Sequence, residues 1–95
     1  MKPNHKLIDY DEITGSVIIV SDLTKSFVMD VLSCMSDLKF IKTVDLSQVN
    51  MVDTSALALL VECQKMNQNQ IQIINSPKHL LNLAKVVGLS FLFSN

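Results

Sequence analysis

Apolar residues fall along this chain in two textures, short dense runs and longer stretches at helical spacing, and the two alternate. Leu7-Ile8-Asp9-Tyr10 reads as a first strand, and residues 16–20 as a second. Asp11-Glu12 and Thr14-Gly15-Ser16 bracket a turn around Ile13. The unbroken Val17-Ile18-Ile19-Val20 predicts a strand buried on both faces. Ser21-Asp22-Leu23-Thr24 opens a helix running to about residue 38, with Phe27, Val28, Val31, Leu32 and Met35 on its apolar stripe.

Residues 43–46 supply the next strand, residues 54–66 a second helix and residues 71–74 another strand. The polar run Asn67-Gln68-Asn69-Gln70 ends the second helix, with Asn supplying the left-handed residue usual at such ends. Ser76 is placed to cap a third helix and Pro77 suits its first turn. Leu80, Leu81, Leu83, Ala84 and Val87 line that helix, and Gly88 closes it. The tail Leu89-Ser90-Phe91-Leu92-Phe93 folds back on the body or adds a last helical turn.

Strands alternating with helices imply right-handed crossovers and a mostly parallel α/β sheet, the first strand joining antiparallel. Every strand-to-helix junction then lies at the carboxyl ends of the parallel strands, where open α/β sheets place their sites. Asp22-Leu23-Thr24, Asp53-Thr54-Ser55 and Asn75-Ser76 are therefore expected to gather along one rim.

The 95 residues suffice for a single domain spanning 1–95, and 48% are apolar, enough for a core without staples. Eight basic side chains, all Lys, face nine acidic ones. The lack of Arg and of a basic excess argues against nucleic-acid binding. The longest purely apolar run, residues 56–61, is far below the roughly 20 residues of a membrane span, and the N-terminus leads into no signal-peptide core. A cytosolic protein with no direct membrane insertion is expected. Cys34 and Cys63 fit no metal or redox spacing and read as small core residues.

No catalytic residue, metal site or cofactor is expected. The two glycines, Gly15 and Gly88, make no phosphate-cradling loop, and no carboxylates pair at metal-ligand spacing. His5 is in the N-terminal tail and His79 on the polar side of the third helix, with no nucleophile-elbow spacing around Ser55. The candidate chemistry lies instead at Asp53-Thr54-Ser55, where an Asp or Thr caps the second helix and the hydroxyl not used as cap stays on the rim. Along that helix the apolar residues, with Gln64 among them, sweep about 220° at about 100° per residue, more than one sheet contact needs. Ser55, Ala58, Leu59 and Glu62 follow helical spacing, so with Asp53 and Thr54 they form the expected partner-binding face.

The stretch Asp45-Leu46-Ser47, the run Asp53-Thr54-Ser55-Ala56-Leu57-Ala58-Leu59-Leu60-Val61, then I-Q-I-I-N-S-P and L-L-N-L-A-K-V-V-G-L, together resemble the STAS domain, the sulphate transporter and anti-sigma factor antagonist module. The resemblance is clearest over residues 40–93 and weaker through Val20-Ser21-Asp22-Leu23-Thr24. It implies the STAS fold, a small mixed and mostly parallel sheet with about three to four helices. It also implies a non-enzymatic module that works by docking on another protein.

Two branches are implied. In the STAS subunit of the Mla system, an ABC transporter that maintains outer-membrane lipid asymmetry, the turn is similar to Asp53-Thr54 followed by Leu57-Ala58-Leu59-Leu60, and Thr54 matches its important Thr. Ser55-Ala56 stands where that branch has Gly-Gly. The partners implied are an ABC transporter ATPase subunit and, through it, the permease, with the chain cytoplasmic and peripheral to the inner membrane. In anti-sigma factor antagonists a Ser in an Asp-Ser-Ser-Gly-like turn is phosphorylated by a partner kinase, and Ser55 matches that position, with Ala56 in place of the usual Gly; the alternative partner implied is an anti-sigma factor or serine kinase.

Overall fold

A computed structural model describes residues 6–68 and 70–93; His5 and Asn69 lie outside them. The strands are β1 (Ile8–Asp11), β2 (Ser16–Ile19), β3 (Thr43–Asp45) and β4 (Gln72–Ile74). The helices are α1 (Val28–Ser36), α2 (Thr54–Met66) and α3 (Lys78–Val86), followed by a 3-10 turn over Ser90–Phe93. The four strands lie in sequence order, β1 antiparallel to β2 and the rest parallel. This is a small α/β domain with a mixed sheet, as the alternation of textures predicts.

Two successive crossovers of the same hand place α1 and α2 on one face of the sheet, where they pack on each other. The register explains the core. Val17 pairs with Val44 and Val44 with Ile73, and all three point under the helices, sealed with Ile19, Leu23, Leu46 and Leu60. The opposite face carries Asp9, Asp11, Ile18, Thr43, Asp45 and Gln72 at alternate positions. The expected double-sided burial of residues 17–20 is therefore corrected. Ile18 and Val20 are only half-buried, because they alternate with the sealed Val17 and Ile19 and point to the opposite side of the strand.

Helix α1 starts later than expected. Leu23 is held extended by a bridge to Val52 and by its N–H on the Met51 carbonyl at 2.9 Å. The chain turns only after Thr24, whose carbonyl accepts from Phe27 and Val28 N–H. The start of α3 is corrected as well: Pro77 occupies the N-cap without any side-chain cap bond, so Ser76 does not cap it. On that helix Leu80 and Ala84 are buried, whereas Leu81 and Val87 are exposed. The tail does both things expected of it. It forms a 3-10 turn that packs on α3 and β4 and buries Leu92.

Candidate docking site

Helix α2 begins where the sequence places it because Asp53, extended at φ −138°, accepts the Ser55 N–H on its carboxylate at 2.9 Å. The Ser55 hydroxyl donates to the same carboxylate oxygen. The other oxygen accepts the Lys25 N–H at 2.9 Å, across to the segment that leads into α1. One side chain thus caps α2 and latches the neighbouring loop to it. The Ser55 hydroxyl and the Lys25 N–H hold the Asp53 carboxyl below the usual carboxylate range.

Two more aspartates finish the same rim. Asp22 accepts the Met51 N–H at 3.2 Å. Asp45 accepts the Ser47 N–H at 2.8 Å and Asn75 Nδ2 at 3.1 Å. Burial opposes ionisation of Asp45, but these bonds outweigh it and hold that carboxyl low too. The first two expected junctions are thereby tied to each other, and the third, at Asn75, is tied to the end of β3.

Of the hydroxyls at the head of α2, Ser55 is committed to Asp53 and half-buried, whereas Thr54 is exposed and makes no side-chain hydrogen bond among the described residues. Ala58 and Glu62 are exposed on the turns that follow. Glu62 pairs with Lys65 at 3.5 Å, an exposed bridge worth a few tenths of a kcal/mol.

Leu59 does not belong with them, and its expected place on a docking face is corrected. It is 1% exposed and part of the central core. The broad apolar sweep of α2 has a structural reason, since α1, the sheet and α3 all pack against this helix or its core. Gln64, the polar residue inside the stripe, is explained too: its amide accepts the Ile71 N–H at 3.0 Å and donates to the Ile71 carbonyl at 2.9 Å. It replaces a strand partner for the residue entering β4, a role that its place between apolar neighbours signals only as an anomaly.

Cys63 is buried against the Met35 sulfur at 3.8 Å, and burial pushes its thiol up to about 12. Such a thiol is protonated at neutral pH and inert. Cys34 is half-buried. Among the described residues no three metal-ligating side chains converge. No helix there is long and apolar enough to cross a membrane. Compared with models of known families the chain matches none, and no curated protein matches it.

Proposed function

We propose that this chain is a non-catalytic STAS subunit of an Mla-type ABC transporter for phospholipids, docking on the ATPase subunit and stabilising or tuning it. The contact surface is Thr54 with the outward positions Ala58 and Glu62. The permease is reached through the ATPase, which keeps the chain cytoplasmic and peripheral to the inner membrane. One observation carries this reading: Thr54 is the exposed, unengaged hydroxyl at the head of α2, the position that matches the important Thr of that branch.

The alternative, an anti-sigma factor antagonist switched at Ser55, draws less support. The Ser55 hydroxyl is held by Asp53, and a phosphate there would lose that bond and face a carboxylate. The test is Thr54→Glu, which adds bulk and charge outside the core. The variant is expected to fold and to lose co-purification of the ATPase from native cells. Recovery of the ATPase at wild-type yield would overturn the proposal. A phosphorylated species mapped to Ser55 by intact-mass analysis, with a serine kinase in the captured material, would replace it by the switch.

A further inference from the structure

The amino-terminal ends of the parallel strands carry a cleft of about 480 Å³, at the far end of the sheet from Thr54. Its walls include Lys39, Phe40 and Lys42 ahead of β3, and Met66, Asn67 and Gln68 at the end of α2. The volume falls in the range of small-molecule sites. Neither lysine ammonium has a carboxylate or carbonyl partner among the described residues, and no acidic side chain lines the cleft.

Three features show that the walls are held in place. The Lys42 N–H is bound to the Gly15 carbonyl at 2.7 Å, and its carbonyl accepts the Gln72 N–H at 2.9 Å. The Phe40 carbonyl accepts the Tyr10 hydroxyl at 2.5 Å. The Phe40 ring sits so close to Gly15 that a Cβ there would lie 2.5 Å from Cε2, yet the residue is 50% exposed. An aromatic ring fixed on one side and open on the other offers a platform to a ligand.

The clearest pointer is Gln68. It adopts φ 59°, the left-handed position after a helix that Gly or Asn fills at less cost. The sequence points to Asn for that role, but Asn67 stays at φ −121° and caps, its Nδ2 on the Cys63 carbonyl at 2.9 Å. A Gln kept at a strained position in a cleft wall is where function is to be sought. The carbonyl end of α2 disfavours anions by about half an elementary charge, and Asn67 has engaged part of that end. Two whole positive charges outweigh it.

We propose that this cleft binds a phosphate group, with Lys39 and Lys42 on the anion, the Gln68 amide donating to it, and the adjoining organic part against Phe40 and Met66. The test follows backbone amides of the full chain by NMR. The probes are inorganic phosphate, glycerol 3-phosphate and a nucleoside monophosphate, then vesicles containing phosphatidylglycerol.

Saturable shifts at Lys42, Met66 and Gln68 are expected. Affinity should fall about tenfold for each of Lys39→Gln and Lys42→Gln, while Lys78→Gln changes nothing. Gln68→Gly should weaken binding while raising the melting temperature, a split that a purely structural residue does not give. Response to the soluble esters identifies a free phosphometabolite; response to vesicles alone, lost in the lysine variants, identifies a lipid headgroup. No shift with any probe would overturn the proposal, as would vesicle binding reduced equally by Lys78→Gln.

Discussion

The two ends of the parallel sheet are finished in opposite ways. At the carboxyl end Asp22, Asp45 and Asp53 are all turned onto backbone N–H groups of the loops. At the amino end the ammonium groups of Lys39 and Lys42 engage nothing among the described residues, and the end of α2 is capped by the Asn67 amide. Backbone polarity accounts for half of this. Loops entering helices carry spare N–H groups, which a short carboxylate reaches, whereas helix ends carry spare carbonyls, which Asn satisfies. The three carboxylates of the carboxyl end are therefore engaged by the fold, whereas the Thr54 hydroxyl there is not. At the amino end it is the ammonium groups of Lys39 and Lys42, both in the walls of one cleft, that have no partner among the described residues.

The comparison breaks most visibly at Gly15, whose φ of 73° and closeness to Phe40 tolerate no side chain. Gly15→Ala combines left-handed strain with a clash, and a loss of about 2–3 kcal/mol is expected in urea denaturation. Phe40→Ala in the same background should recover part of it, because the ring is the nearest obstacle. A loss below about 0.5 kcal/mol would show that the amino-end wall is not held as described.

Asp53→Ala is the matching test at the carboxyl end and should cost about 2 kcal/mol, because the α2 cap and the bond to Lys25 go together. Asp53→Asn should cost less, since Asn still caps. Equal stability of Asp53→Ala and the parent chain would mean that the latch contributes nothing.

Two junctions of the carboxyl-end rim differ in how legible they are in the sequence. The start of α2 could be read to the residue, because Asp53-Thr54-Ser55 precedes an apolar helix without competing signals. The start of α1 could not. Ser21-Asp22-Leu23-Thr24 carries the same capping letters, but Leu23 is taken by a non-local bridge to Val52 that no local pattern reveals. Leu59 departs from its expected outward place for a related reason. Periodicity gives the width of an apolar stripe but not the number of elements that will cover it. The sequence does not separate Thr54 from Ser55 as the exposed hydroxyl; the geometry around Asp53 does. The amino-end cleft had no sequence signature, being assembled from two loops far apart along the chain.

The finest discrimination comes from acid. Asp53 and Asp45 are held below the ordinary carboxylate value in the folded chain, so the unfolded chain binds protons first as pH falls. Their stabilising contribution is complete above the unfolded value of about 3.9 and is lost as pH drops through the folded values. Unfolding free energy should therefore fall with acidification below about pH 4, and less steeply in Asp53→Asn, which has one such group fewer. The double variant Lys39→Gln with Lys42→Gln should keep the parent slope, because these lysines lie at the other end of the sheet and touch neither carboxylate. If the lysine variant flattened the slope and Asp53→Asn did not, the charges would be coupled across the sheet, and the two ends would not be independent.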